Sequence, residues 1–384
     1  MSYVNSFYIE KPQWNLSESG LLLSVFLLAS FGLVMVSTSS IDFAASTYGD
    51  PWYFTKKQFL FLCLGLVAGA IVTMIPLRHW HQYSVYFLIL GIGLLVLVLL
   101  PGIGKVVNGS RRWLSFGPIG LQASEAAKFC LIIFYASYLT RRAEMVTKRW
   151  VAFSIMVGII GLTTALLLLE PDFGSSVIIC VTLGTMMFVA GVPIIRFLLL
   201  AFFGGFCASL IILMSDYRRD RLMAYLDPFS DPYEGGYQLV QSLIAFGRGE
   251  WFGLGLGNSI QKLFFLPDAH TDFIFAILAE EFGMVGVALF VGLFAYFISR
   301  IFKIAFRAFK YDKRFGAYIS LGVATMLSAQ AFVNMGVSSG LLPTKGLTLP
   351  FVSYGGSSLT VTCVLVALVC RTEIENRMEV GSDE

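Results

Sequence analysis

Apolar residues in this chain do not alternate with polar ones. They run in ten blocks, at about 17–38, 58–76, 84–101, 123–140, 151–169, 173–191, 194–214, 271–299, 315–338 and 349–370. At 1.5 Å per residue, a helix of about 20 residues crosses a 30 Å hydrocarbon core. A membrane β-barrel would show strict alternation instead. The pattern predicts an all-α integral membrane protein with ten transmembrane helices in one domain, residues 17–371. Residues 1–16 and 372–384 read as short tails, and 215–270 as one large loop between the seventh and eighth helices. The first apolar run is too long for a cleavable signal and reads as an uncleaved span. Glu170-Pro171-Asp172-Phe173-Gly174 reads as a tight turn between two spans. A single broken helix there would invert everything downstream. In the large loop, Tyr237–Ile244 has helical apolar spacing and suits an amphipathic helix in the membrane interface.

Composition agrees. Of 384 residues, 57% are hydrophobic and 13% charged, against about 25% charged in an ordinary soluble domain. That excludes a disordered chain and argues against a soluble enzyme. A net charge of +3, spread along the chain, gives no footprint for nucleic acid. The six cysteines lie in or at the ends of apolar blocks and suggest no disulfide framework. The three histidines lack metal-ligand spacing, and no phosphate-binding G-x-x-x-x-G-K-[ST] loop occurs. The Gly253–Gly257 run follows no strand–helix pattern and reads as a flexible turn.

Lysine and arginine set the orientation. Two dense basic runs, Arg141–Arg149 and Arg300–Arg314, fall on one side when the N-terminus is cytoplasmic. An even number of spans then makes the C-terminus cytoplasmic and puts the 215–270 loop outside.

The informative residues are the polar ones that survive in or beside the spans. Glu125 and Lys128, at i and i+3, are neighbours on one helix face. They suit either a structural ion pair or the lining of a polar cavity. Asp272 opens the eighth span, as a helix cap or as a functional acid. Glu280 lies about 80° round the helix from Asp272 and Glu281 opposite it, so one of the two can share a cavity with Asp272. Outside cations include Arg111 and Arg112 beside Trp113, then Arg218, Arg219 and Arg221, and Lys345. They suit a diphosphate ligand or lipid headgroups equally.

Several stretches together carry a resemblance: Gly109-Ser110-Arg111-Arg112-Trp113, Gln122-Ala123-Ser124-Glu125, Glu170–Gly174, Gly247-Arg248-Gly249, Leu266–Phe275 and Pro350–Ser358. The chain resembles the SEDS (shape, elongation, division, sporulation) family over nearly its whole length. Pro343–Pro350 and Ala269-His270-Thr271-Asp272 favour the division branch over the elongation branch. Asp268 stands where the family pattern leads one to expect Glu. The resemblance implies a ten-helix fold and a glycosyltransferase that polymerises lipid II outside the cytoplasmic membrane at the septum. It implies a class B penicillin-binding transpeptidase (FtsI) as partner, with FtsQ, FtsL and FtsB around it. It points to Asp272 as the catalytic residue. Arg111, Arg112, Trp113, Glu125, Lys128, Arg221, Gln241, Arg248, His270, Lys345, Tyr354 and Ser357 complete the candidate substrate-binding set.

The residues themselves supply a chemical rationale. Asp272, expected to have near-ordinary acidity, takes the proton from an acceptor sugar hydroxyl. That oxygen attacks the donor's anomeric carbon, and undecaprenyl diphosphate leaves. Arginine, lysine or a divalent cation such as Mg or Mn stabilises the leaving group. A retaining route would need a second carboxylate about 5 Å away, and none is obvious beside Asp272. Trp113 stacks on a sugar or anchors its loop at the interface. Three other readings compete: a lipid II flippase, whose charges would be spread through the membrane depth, an elongation-type polymerase, and a non-catalytic division scaffold.

Overall fold

The computed structural model describes residues 16–107, 110–116, 119–213, 225, 227–229, 236–343 and 346–380. In chain order the elements are α1 (Leu16–Tyr48), α2 (Tyr53–Met74), α3 (Leu77–Gln82), α4 (Ser84–Leu99), β1 (Gly104–Val107), β2 (Ser110–Phe116), β3 (Ile119–Gln122), α5 (Ala123–Lys148), α6 (Trp150–Leu169), α7 (Phe173–Val189), α8 (Ile194–Leu213), α9 (Tyr237–Gly249), α10 (Ile274–Lys310), α11 (Arg314–Ser338) and α12 (Gly356–Val380). Among the described residues, six helices are long and apolar enough to cross a membrane: Gly20–Tyr48, Tyr53–Met74, Trp150–Leu169, Ile274–Lys310, Arg314–Ser338 and Gly356–Met378. Ser84–Leu99 and Phe173–Val189 are apolar but shorter.

Burial sorts these helices into an inner and an outer set. In the most apolar stretch of α11 and of α12, 78% of residues are buried, against 28% in α2. The outer helices expose large apolar side chains such as Phe59, Leu66, Val67, Tyr86, Ile89 and Val151. A water-soluble protein would not present that much contiguous apolar surface; lipid is the solvent it suits.

Several helices outrun the apolar blocks. α1 passes through the polar Ser37–Ser40 run to Tyr48 because the hydroxyls bond back up their own helix. Ser39 Oγ donates to Met35 O at 2.6 Å and Ser40 Oγ to Val36 O at 2.6 Å, so these two buried hydroxyls are satisfied within the helix. α12 continues past 371 to Val380. There Glu373 pairs with Arg307 of α10 and with Arg377, and Glu375 pairs with Arg371 at 2.8 Å. The stretch read as a tail thus begins as ordered helix.

The helical reading of the membrane body holds, and the structure adds to it: the glycine-rich loop around Arg111 is a three-stranded antiparallel sheet, β1-β2-β3. Lys105 pairs with Trp113, and Trp113 with Gln122. α9 packs part of its apolar face inward and leaves Ile244 exposed. Leu239, Val240 and Ala245 are buried, Ser242 Oγ donates to Ser338 O at 2.6 Å, and Gly249 lies so close to Ala279 O that any side chain would collide.

One expectation needs correction: the Gly253–Gly257 run is not a free turn. α10 is interrupted at Gly283, which adopts φ 67° and ψ −171°. The interruption leaves backbone groups unpaired within the helix, and the preceding loop fills them. Leu254 and Gly255 N–H donate to Glu280 and Glu281 O, both at 3.0 Å. Met284 and Val285 N–H donate to Glu250 O at 2.9 Å and Trp251 O at 3.1 Å. Gly253 and Gly283 abut backbone so closely that a Cβ on either would strike it.

Candidate active site

Asp272 lies in the loop that leads into α10. It is not a helix cap, because Phe273 occupies that position and no side chain caps the helix. Its amide donates to Asp268 O at 3.1 Å, and its carbonyl accepts from Asn334 Nδ2 at 2.8 Å. The backbone of Gly346 closes on the carboxylate: a Cβ there would sit 2.6 Å from Asp272 Oδ2. The residue keeps some surface, but the surrounding protein removes most of its water. Burial first, and the charge of Asp268 second, push its pKa up to about 7, against the opposing charge of Arg112. The near-ordinary pKa expected from the sequence is therefore corrected upward, to a weaker acid and a stronger base. Asp268, likewise raised by burial, is a second carboxylate near enough to act on Asp272.

Arg112, on β2, acts on this acid through its charge and not through a direct contact. Alternation along the strand puts Arg112 on the same face as Leu114, which is 2% exposed. Its guanidinium is held by the α6–α7 turn: Nε donates to Glu170 O at 3.0 Å and Nη2 to Pro171 O at 2.7 Å. The turn is built as the sequence predicts, and Asp172 caps α7 by accepting from Ser175 N at 3.2 Å. The Glu170 carboxyl is fully buried and lacks a hydrogen-bond partner among the described residues. Burial and Asp172 raise its pKa to about 8, with Arg112 opposing. Arg112 thus spreads one positive charge over two acids.

His270 is buried among the rings of Phe43, Phe54 and Tyr354. Burial lowers its pKa to about 4 and keeps it neutral. Its carbonyl accepts from Tyr354 N at 2.9 Å, tying the Asp272 loop to the 346–358 segment. Ser357 Oγ accepts from Gln122 N at 3.2 Å, tying that segment to β3.

Glu125 and Lys128 form a buried ion pair of 2.8 Å. Lys128 Nζ also donates to Gln330 Oε1 at 3.3 Å, and Gln330 Nε2 donates to Thr348 O at 3.0 Å. The pair therefore reaches the 346–358 segment through one intermediate side chain.

The remaining candidates are placed as follows. Arg111 is exposed. Trp113 is half-buried, with its ring over Gly120, where a Cβ would lie 3.3 Å from the ring. Gln241 is half-buried on α9. Arg248 pairs with Glu280 at 3.2 Å. Arg221 and Lys345 lie outside the described residues, as do Arg218 and Arg219. Glu280 and Glu281 do not share a cavity with Asp272. Glu280 accepts from Ser259 Oγ at 2.5 Å and from the Ile260 and Gln261 amides, each at 3.2 Å; Glu281 pairs with Lys262 at 3.2 Å. Both are anchors for the loop that mends α10.

Sequence reasoning missed Gln330 and Asn334. Asn334 Nδ2 bonds Leu347 O at 2.6 Å as well as Asp272 O. Their only sequence signal is two buried amides, four residues apart, in an otherwise apolar span. For a divalent cation, the described residues gather no three His, Cys, Asp or Glu side chains at one point. They do not fit a metal cage made by protein alone.

The fold and this site define a polytopic helical membrane protein with a desolvated acid beside a fixed guanidinium. The family described as "Cell cycle protein" (FtsW/RodA/SpoVE) matches residues 19–378, and the chain belongs to it. A relative from Saccharophagus degradans, named probable peptidoglycan glycosyltransferase FtsW, is 56% identical over 94% of each chain. One from Nitrosococcus halophilus with the same name is 50% identical over 93% of this chain and 92% of its own. A solved chain from a study of polymerisation and crosslinking by a peptidoglycan synthase complex superposes with TM-score 0.78 at 28% identity. It covers 94% of this chain and 99% of its own. The rod shape determining protein RodA of Thermus thermophilus gives TM-score 0.70 at 26% identity, over 95% and 98%.

Proposed function

We propose that this chain is a peptidoglycan glycosyltransferase of the division type, polymerising lipid II for the septal wall. The observation that carries the reading is the placement of Asp272: its carboxylate lies against the Gly346 backbone with no hydrogen-bond donor on it among the described residues, and burial raises its pKa to about 7. A base is most useful when its pKa lies near the working pH. Asp272 takes the proton of the acceptor's sugar hydroxyl, that oxygen bonds to the donor's anomeric carbon, and the carbon–phosphate oxygen bond breaks. The electron pair leaves with undecaprenyl diphosphate, whose charge Arg112 is placed to offset. One base and one displacement invert the anomeric centre. Asp268 contributes charge to Asp272 and is not assigned as a nucleophile.

The reading includes ten membrane crossings, cytoplasmic termini and an extracytoplasmic face for Asp272. Its partner is a class B penicillin-binding transpeptidase, with FtsQ, FtsL and FtsB around the pair. The relatives' names support the polymerase, and the superposition with a chain from a synthase complex supports a crosslinking partner. The test uses purified protein with its cognate transpeptidase and labelled lipid II, wild type beside Asp272→Asn. Glycan chains from wild type only are the expected result. Equal chains from both remove Asp272 from the chemistry; no chains from either, with lipid II crossing liposome membranes, would favour a flippase.

A further inference from the structure

Asp272 and Gly346 are 74 residues apart in sequence, yet the backbone of one lies against the carboxylate of the other. Two side-chain amides on one face of α11 hold them there. Asn334 Nδ2 donates at once to Asp272 O, 2.8 Å, and to Leu347 O, 2.6 Å. One turn earlier, Gln330 Nε2 donates to Thr348 O at 3.0 Å and to Thr348 Oγ1 at 3.3 Å. Thr348 Oγ1 is in turn 3.0 Å from Ser358 Oγ. A carboxamide can turn over and swap its donor and acceptor ends, but these two cannot do so freely. An ammonium only donates, so Lys128 Nζ, 3.3 Å from Gln330 Oε1 and 2.8 Å from Glu125 Oε1, keeps the Gln330 oxygen toward itself and the NH2 toward Thr348. For Asn334 the two facing carbonyls require the NH2.

We propose that Asn334 and Gln330 are positioning residues that clamp segment 346–349 over the Asp272 carboxylate, with Glu125–Lys128 as the lock on Gln330. The clamp deepens the glycosyltransferase reading and rests on it only for its kinetic effect. Among the described residues, the charged groups acting on Asp272 are Asp268 on its own loop and Arg112 from β2, while α11 and segment 346–349 bring neutral groups, Asn334 and Gly346. Loosening the clamp admits water, and the acid returns toward its ordinary strength.

Two measurements test this. The first uses a hydrophobic carbodiimide, which modifies protonated carboxyls, on the full chain in complex with its transpeptidase. Labelling of Asp272 is followed by mass spectrometry across pH, without lipid II. Wild type is expected to lose half its labelling near pH 7, and Asn334→Ala at least one pH unit lower. The second measures glycan synthesis. Asn334→Ala and Lys128→Met should lower kcat about tenfold or more, leave KM for lipid II within about threefold, and move the acid limb of Asn334→Ala in the same direction as its labelling. Asn334→Ser, which keeps one donor, should recover part of both. If Asn334→Ala fails to fold, Asn334→Ser and Gln330→Met are read in the same assays. An unchanged labelling profile in a folded variant overturns the clamp whatever the activity. A wild type that labels near pH 7 but makes no glycan overturns the function reading and leaves the clamp standing.

Discussion

Two acidic regions flank the first turn of α10, and they are treated in opposite ways. Glu280 and Glu281, on the helix, are fully buried, yet each has a cation, and Glu280 has three further donors. Asp272, in the loop just before, has charges acting on it but, among the described residues, no hydrogen-bond donor on its carboxylate. The loop from 249 to 262 is spent on satisfying the glutamates. Glu280 has its hydrogen bonds completed, and Glu281 has its cation although its Oε2 lacks a donor among the described residues; a buried charge with neither costs several kcal/mol. A charge meant to accept a proton is left incomplete.

The comparison can be broken most decisively at Asp272. Asp272→Asn should cut glycan synthesis by about 10²- to 10⁴-fold, the span of general-base catalysis. Its thermal midpoint at pH 8 should be equal to or above that of wild type, since a desolvated charge has been removed. A fall in the midpoint would place Asp272 with the structural acids. Next, Glu280→Ala should behave in the reverse way. It strands Arg248 and the Ser259–Gln261 turn and should cost about 3–5 kcal/mol of stability, seen as a lower unfolding midpoint.

Gly346→Ala sharpens the same contrast. Its new methyl would press on Asp272 Oδ2, and displacement of the base by about 1 Å should reduce kcat about 10²-fold while the fold survives. The pH profile comes next. The base must be ionised and its pKa is raised to about 7, so activity is lost as pH falls through about 7 and levels off above it. A profile flat down to pH 5 would contradict the burial of Asp272. The smallest effect belongs to Arg248→Ala. It leaves Glu280 buried without its cation but still holding the Ser259, Ile260 and Gln261 donors, so stability should fall by about 1–3 kcal/mol, less than for Glu280→Ala.

Much of this was legible in the sequence, and the reasons are physical. Apolar blocks of membrane length declare themselves, and the Glu170–Gly174 turn does so because a proline and two acids cannot face lipid. Asp272 stood out because an acid there needs a reason. The sheet around Arg112 was not legible, since strands of four to seven residues in a glycine-rich stretch give too short an alternation to read. The division of labour between Asp272 and Glu280 was hidden too. Helical angles tell which way a side chain points, not that residues 248 to 262 come back to meet it. Gln330 and Asn334 were missed because neutral amides cost little in a span, and their partners lie 13 to 202 residues away.

The interruption at Gly283 bears on how the protein is made. A membrane helix normally enters lipid with its backbone hydrogen bonds closed. α10 enters with Glu280 and Glu281 carbonyls and Met284 and Val285 amides open, and residues 250–255 close them. That closing segment precedes α10 in the chain, so it leaves the ribosome first and is already present when the helix arrives. Biosynthesis from the N-terminus thus supplies the patch before the gap. A circular permutant that moved 250–255 behind α10 would have to insert an unclosed helix.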